Sequence, residues 1–225
     1  MLARLERPVT LKEATLRKLR EAIILGELQP GNRLVERVLC AQLGVSRTVV
    51  RECIRHLESE RMVTSVPNAG PSVAQIDSCE IQQIYEVRGL LEAAAIRSCA
   101  EVADESLGQQ LHVYCDSIAK ALEQNEILQA LQFTTGFYRE IFTRGDKLVS
   151  WDLVEHLNAR IGWLRALTLS ATDRRRVGPE RLREIASHIQ SGDADKAVAA
   201  CEKHLQGARD TALAELRKRN EAKDP

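Results

Sequence analysis

Three arginines and two hydroxyl side chains lie close together near residue 50, at spacings that suit contact with an anion. Arg47, Arg51 and Arg55 recur every four residues, so a helix places them on one side. Ser46 and Thr48 fall at the start of that helix, where free amide groups favour phosphate. Arginine forks bind phosphate oxygens, or the edge of a guanine base, in bidentate fashion. The pattern therefore favours a surface that contacts nucleic acid.

The opposite side of the same helix is apolar. At about 100° per residue, the apolar side chains that fall together are Val50, Cys53, Ile54 and Leu57. They are expected to pack against neighbouring helices and to leave the arginines in solvent. The alternative is an ordinary solvated face, in which the arginines pair with Glu52 and Glu58.

Local signals around this helix predict three short helices followed by a hairpin. A capping box opens the first helix, a glycine closes the second and a serine caps the third. The predicted elements are helices over about 10–26, 35–43 and 46–61, then β-prone segments at 62–65 and 72–74. Three helices and a hairpin in the first 75 residues are the layout of a winged helix-turn-helix.

The second half of the chain predicts an all-α antiparallel helical bundle. No proline occurs between Pro71 and Pro179, so nothing in this stretch breaks a long helix. The predicted helices span about 77–102, 104–124, 126–144, 146–170, 179–190 and 193–219. The fold class is therefore mainly α, with an N-terminal winged helix-turn-helix domain over residues 8–75 and a helical domain over residues 76–220.

Charge divides at the same boundary. The 225 residues include 32 basic and 32 acidic side chains, yet residues 1–75 hold 12 and 8 while residues 76–225 hold 20 and 24. The net charge of zero excludes a uniformly basic coat and hides a basic first half. No apolar run is long enough for a membrane span, and the N-terminus has no signal-peptide pattern. Six cysteines without a Cys-x-x-Cys pair predict reduced thiols and a cytoplasmic location.

The first half resembles the GntR family of bacterial transcription regulators. The motifs that carry this resemblance are Gly26-x-Leu28-x-Pro30-Gly31-x-x-Leu34, Glu36, Leu43-Gly44-Val45-Ser46-Arg47-x-Val49-Val50-Arg51-Glu52 and Leu57-x-x-Glu60-x-Met62-Val63. The helical half resembles the effector domain of the FadR subfamily, of the FCD type, through Tyr85-Glu86-Val87-Arg88 and Leu91-Glu92. Together the two resemblances cover about residues 10–210.

For the first half, the resemblance implies a set of operator contacts. The implied residues are Arg37, Ser46, Arg47, Thr48 and Arg51, with Asn68 and Gly70 at a wing tip that enters the minor groove. The chain departs from the family at Val35, where a hydroxyl N-cap is usual, and at Val49, where proline or threonine is common. A lost cap costs about 1 kcal/mol, which shifts affinity and leaves the assignment unchanged.

For the helical half, the resemblance implies an effector pocket in which many relatives hold a divalent metal with one Asp and three His. The first two ligand positions are Thr134 and Tyr138 in this chain, whereas the later two are His188 and His204. A hydroxyl is a poor ligand and a phenol is protonated at neutral pH, so two imidazoles alone hold Zn²⁺ or Ni²⁺ weakly. We therefore expect a hydrogen-bonding pocket that requires no cofactor, with a Zn or Ni ion on His188 and His204 as the alternative.

Arg88 is expected to bind the acid group of the effector in this pocket. A guanidinium among apolar helices suits a carboxylate, and the hydroxyl and imidazole groups of the four positions just named would complete its hydrogen bonds. One alternative is an internal salt bridge from Arg88 to Glu92, four residues on. The other is that the two histidines merely pack between helices.

These features predict a ligand-responsive transcription regulator, in the simplest case a repressor, and not an enzyme. A homodimer is expected to bind a pseudo-palindromic, double-stranded operator, and a small carboxylate-type effector to change its grip on DNA. No membrane partner is expected. One alternative is a helical metal-dependent enzyme with an N-terminal docking module, for which the chain lacks catalytic motifs. Another is a constitutive DNA binder whose pocket no longer responds to any ligand.

Overall fold

The chain folds into two units, and the boundary between them along the sequence falls between Gln75 and Ile76, as seen in a computed structural model. The structure describes residues 10–66, 70–169 and 172–221, with the backbone alone for residues 172–174. Helices dominate both units, which confirms the predicted fold class. No helix in the described ranges is both long and apolar enough to cross a membrane.

The first unit contains three helices and one hairpin, in the predicted order. The elements are α1 (Leu11–Ile24), α2 (Glu36–Leu43), α3 (Arg47–Ser59), β1 (Val63–Val66) and β2 (Gly70–Val73). The strands pair antiparallel, with Val63 opposite Val73 and Val66 opposite Gly70. Leu19, Ile23, Val50 and Leu57 are almost fully buried, so the apolar face of α3 packs into the core of this unit. That packing leaves the opposite face of α3 in solvent.

The boundaries of these helices follow local chemistry. The Thr10 side chain accepts a hydrogen bond from the Glu13 amide while the Glu13 carboxylate accepts one from the Thr10 amide, which is the predicted capping box. α2 begins after Val35, which provides no side-chain cap, and it ends at Gly44 with a φ of 67°. A β-carbon is strained in that left-handed conformation, so glycine suits the tight turn from α2 to α3.

The second unit is a bundle of antiparallel helices. Its elements are α4 (Ser78–Glu101), α5 (Glu105–Glu123), α6 (Ile127–Arg144), α7 (Leu148–Leu169), α8 (Thr172–Gln190) and α9 (Ala194–Glu221). α4 packs on α9, and α5 packs on both α6 and α8. The core is built mainly from Leu, Ile and Ala, with three of the six cysteines (Cys99, Cys115 and Cys201) buried in it as small apolar groups.

One predicted boundary is wrong. Pro179 was expected to open a helix over about 179–190, but it lies inside α8, which begins at Thr172. Proline removes one backbone hydrogen bond from a helix interior. The turns before it are held from outside, because the Arg175 guanidinium donates to the Leu169 carbonyl at 2.8 Å and to Asn125 Oδ1 at 3.0 Å. These contacts offset the lost bond and let the helix extend seven residues further toward its N-terminus.

Candidate nucleic-acid interface and buried cavity

The solvent face of α3 carries the side chains that the sequence predicted for nucleic-acid contact. Arg47, Thr48, Arg51 and Arg55 are exposed. Ser46 caps the helix, and its Oγ accepts a hydrogen bond from the Val49 amide at 3.4 Å. The helix therefore presents a cationic and hydroxyl surface at its N-terminal end, where the backbone amides also favour an anion.

The two acidic residues that could have neutralised this surface point elsewhere. Glu52 pairs with Lys12 of α1 at 3.0 Å, and Glu58 accepts a hydrogen bond from the Ser65 hydroxyl. Within the described ranges, Arg47 and Arg55 form no ion pair. The solvated face with internal ion pairs to Glu52 and Glu58, which was the alternative, is therefore not the arrangement in the structure.

Arg51 differs from its neighbours because it is tied to α2. Its Nε lies 2.8 Å and 2.9 Å from the two carboxylate oxygens of Glu36. The hydrogen bond from Arg51 lowers the pKa of the Glu36 carboxyl below its ordinary value. The pair fixes the direction of the Arg51 side chain and joins the two helices of the motif, a role that the sequence did not indicate.

The remaining predicted contacts lie on α2 and at the hairpin. Arg37 is exposed on α2, and Gly70 begins β2 with a φ of 80°. Asn68 lies outside the described residues. A cation that the sequence analysis missed, Arg33, lies beside the hairpin, because a β-carbon at Gly70 would stand 3.6 Å from its Nη2. The backbone bridge between Arg33 and Ser72 holds that segment against β2.

The helical unit contains a cavity of about 530 Å³, counting the part that opens to solvent. Its polar lining residues are Tyr85, Arg88, Thr134, Arg165, Thr168 and His204. Its apolar lining residues include Ile118, Leu122, Leu131, Leu169 and Leu182. A concave site with apolar walls and a few convergent polar groups is typical of a small-molecule pocket.

The structure brings most of the predicted effector residues to this cavity. Arg88, Thr134 and His204 line it. Tyr138 is buried next to it, with the Arg88 guanidinium carbon 5.9 Å from the centre of its ring. His188 is half-buried on α8 and is not among the residues that line the cavity.

The residues present do not fit a metal ion. The Thr134 hydroxyl donates to the Ala130 carbonyl at 2.7 Å, and burial followed by the Glu92 charge raises the pKa of Tyr138 well above its ordinary value. Within the described part of the chain, no three His, Cys, Asp or Glu side chains group as metal ligands would. His188 and His204 do not line the cavity together, so the pair offers no donor set for Zn²⁺ or Ni²⁺.

Arg88 forms the internal salt bridge that was the alternative to effector contact. Its Nε donates to Glu92 Oε1 at 2.8 Å, and the two residues are 2% and 1% exposed. Burial by itself disfavours the cation, but Glu92 and two tyrosines outweigh it and raise the pKa of Arg88. The second oxygen of Glu92 accepts a hydrogen bond from the Cys201 thiol at 3.7 Å. Arg88 is thus a neutralised cation at the cavity wall.

A second arginine in the cavity was missed by the sequence analysis. Arg165 of α7 lies with its guanidinium carbon 5.3 Å from the centre of the Tyr138 ring. It forms no ion pair within the described ranges. Burial and, secondarily, the Arg88 cation lower the pKa of Arg165 to about 10. Among the described residues, two guanidinium groups line the cavity, and the Glu92 carboxylate pairs with one of them.

Comparison with known proteins places both units. Residues 11–73 match the family described as bacterial regulatory proteins, gntR family, and residues 83–207 match the FCD domain. An uncharacterised HTH-type transcriptional regulator of Bacillus subtilis, YdhC, is 27% identical over 175 residues, which are 76% of this chain and 77% of that protein. The solved structure of Escherichia coli McbR has a TM-score of 0.74 at 21% identity. The match covers 95% of this chain and 100% of the McbR chain. The structure of a GntR transcriptional regulator from Rhodococcus sp. RHA1 has a TM-score of 0.75 at 22% identity. The match covers 90% of this chain and 97% of that protein.

The solved structures, at these identities, establish the fold. The family matches establish more, because the FCD match alone covers more than half of the chain. The relatives are regulators of transcription and not enzymes. The chain therefore belongs to the GntR family of bacterial transcription regulators and carries an FCD domain as its second unit.

Proposed function

We propose that this regulator binds a pseudo-palindromic operator as a homodimer, and that a small organic acid in the cavity of the helical unit changes its grip on DNA. The observation that carries the proposal is the exposed cationic face of α3, whose Arg47 and Arg55 have no carboxylate partner among the described residues. Repression is the simplest outcome, because a dimer seated on DNA blocks access to the sequence beneath it. A cytoplasmic location follows from this role.

The face of α3 has the chemistry that a major groove requires. An α-helix fits the groove of B-DNA, and an arginine there can donate two hydrogen bonds to one guanine. Arg47 and Thr48, at the N-terminal end of α3, are placed to contact base edges and phosphates, as recognition helices do. Arg37 on α2 and Arg33 beside the hairpin would add phosphate or minor-groove contacts on either side. Arg51, which Glu36 holds in one direction, would contact DNA with its remaining N–H groups.

Selection of DNA from a random library by the full-length chain tests this function. We expect an inverted repeat to be enriched, because two-fold symmetry in the protein is mirrored in the operator. A library that shows no shared motif after repeated rounds would contradict the proposal. The organic-acid part is tested separately, by whether an acid alters the affinity for the selected site.

The helical unit also carries a surface that suits a second copy of the chain. Glu80 pairs with Arg160 at 2.6 Å, and Gly145 lies beside the backbone of Ala95, so α4 and α7 run antiparallel. Large apolar side chains on these two helices are exposed: Val87, Leu90, Leu148, Val149 and Leu153. Leu90 and Val149 are 70% and 77% exposed. A patch of this kind is typical of an interface between subunits.

The double substitution Leu90→Glu and Val149→Glu is expected to convert the dimer to a monomer, because it puts four like charges into the centre of a symmetric interface. Molar mass from light scattering during size-exclusion chromatography measures the result. Val113→Glu is the matched control, since Val113 is 56% exposed on α5, away from α4 and α7. A double variant that stays dimeric would place the interface elsewhere.

A further inference from the structure

The charge balance of the cavity separates its two arginines. Arg88 has a carboxylate at 2.8 Å, and the pair contributes no net charge. Arg165 has none within the described ranges, and its neighbours include the Tyr138 ring and the like-charged Arg88. Arg165 is half-buried, and a cation that is partly removed from water without a counter-ion destabilises a fold. The Arg165 guanidinium therefore lies where an anion could reach it through the cavity.

Structural roles do not account for this guanidinium. Its N–H groups donate no hydrogen bond to a described residue, and only its backbone carbonyl is used, by the Thr168 hydroxyl at 2.8 Å. Arg160, five residues earlier on α7, has its counter-ion in Glu80 at 2.6 Å. Arg160 thus stabilises the packing of α7 through an ion pair, whereas Arg165 forms no ion pair with a described residue.

The surroundings of Arg165 limit what the anion can be. Most of the remaining cavity wall is apolar, from Leu122, Leu131, Leu169 and Leu182. Thr134 and Thr168 already donate their hydroxyl protons to backbone carbonyls. The Tyr138 hydroxyl is buried and makes no hydrogen bond to a described residue. A ligand would therefore meet the Arg165 guanidinium, the side chains of Tyr85 and His204, the Tyr138 phenol at the edge, and otherwise a mostly apolar wall.

We propose that Arg165, and not Arg88, anchors the effector by its acid group, and that the effector is a compact monocarboxylate with an apolar body. The inference rests on the proposed function, because it names the ligand of the same regulator. One guanidinium neutralises one carboxylate in a bidentate pair. A second carboxylate, or several hydroxyl groups, would lie against leucine side chains and lose hydrogen bonds to water.

The test measures binding of hexanoate and benzoate to the full-length chain by calorimetry, next to their neutral amides and to succinate and gluconate. We expect at least one monocarboxylate to bind roughly 10-fold to 100-fold more tightly than its amide, and more tightly than succinate or gluconate. Arg165→Met should abolish the preference for the acid over the amide. Arg139→Met is the control, because it removes an exposed cation from α6 and should leave binding unchanged.

A second measurement distinguishes a ligand-binding role of Arg165 from a structural one. Without ligand, Arg165→Met should raise the Tm of the helical unit by roughly 2–4 °C, because it removes a half-buried charge that has no counter-ion among the described residues. The inference is overturned if the acid binds Arg165→Met as well as the wild-type chain, if Arg165→Met lowers the Tm, or if neither monocarboxylate binds the wild-type chain. Operator binding by Arg165→Met should be unchanged, so loss of acid recognition leaves the DNA-binding proposal standing. Failure of the DNA selection would instead count against the proposed function.

Discussion

Replacing Glu92 with alanine is expected to destabilise the helical unit by about 3–5 kcal/mol, because it leaves a buried cation without its counter-ion. Arg88 is 2% exposed, so water cannot take the place of the carboxylate. The substitution also removes the acceptor of the Cys201 thiol and leaves a cavity beside Tyr138. Urea unfolding followed by tryptophan fluorescence measures the effect, since Trp151 and Trp163, the two tryptophans of the chain, both lie on α7.

Two variants make this result specific to the ion pair. Glu86→Ala removes an exposed carboxylate from the same helix and should change the free energy of unfolding by less than about 0.5 kcal/mol. The double variant Arg88→Met with Glu92→Met removes both charges and should recover much of the loss, as apolar replacements of buried ion pairs do. A Glu92→Ala chain as stable as the wild type would show that Arg88 does not depend on this carboxylate.

Arg47→Ala is expected to weaken operator binding by roughly 10-fold to 100-fold, the effect of losing one bidentate contact to a base or phosphate. Arg47 is exposed at the first position of α3, and no carboxylate among the described residues holds it. Truncation should therefore leave the fold intact, with an unchanged circular dichroism spectrum. Titration of labelled operator at fixed salt gives the ratio of dissociation constants.

The matched control for Arg47→Ala removes the same charge from another helix of the same unit. Arg17 is exposed on α1 and lies outside the α3 face, so Arg17→Ala should weaken binding much less. Comparison at several salt concentrations then separates a direct contact from a general loss of positive charge. Equal losses in the two variants would contradict a special role for α3.

The parts of the fold that follow from local rules were predictable. The capping box at Thr10, the glycine at residue 44 and the apolar face of α3 depend on neighbours within a few residues, and the structure has them where expected. The start of α8 was not predictable, because it depends on tertiary contacts from Arg175 to the end of α7 at Leu169 and to Asn125, which is 50 residues away. Local propensity favours a helix that begins at Pro179, and tertiary contacts override that preference.

The same distinction explains the site residues. The pairing of Arg88 with Glu92 could be foreseen as an alternative because it spans one helical turn. Arg165 lies in a largely apolar stretch of α7, and only the packing of α4, α6 and α7 shows that it lines a cavity in which no described residue gives it a counter-ion. Arg51 and Glu36 are 15 residues apart, so their contact depends on how α2 and α3 pack. Whether a charged side chain is buried or ion-paired depends on the residues around it in the fold, and the spacing of residues in the sequence does not reveal them.

The central claim, that this chain reads a symmetric DNA sequence, is tested most directly by one ratio of affinities. Full-length protein is titrated against the selected palindrome and against a scrambled duplex of the same composition, at about 150 mM salt. We predict that the palindrome binds at least about 10³-fold more tightly, the range of specific over non-specific binding. Equal affinity for the two duplexes would reduce the cationic face of α3 to a general attraction for DNA and would contradict the account.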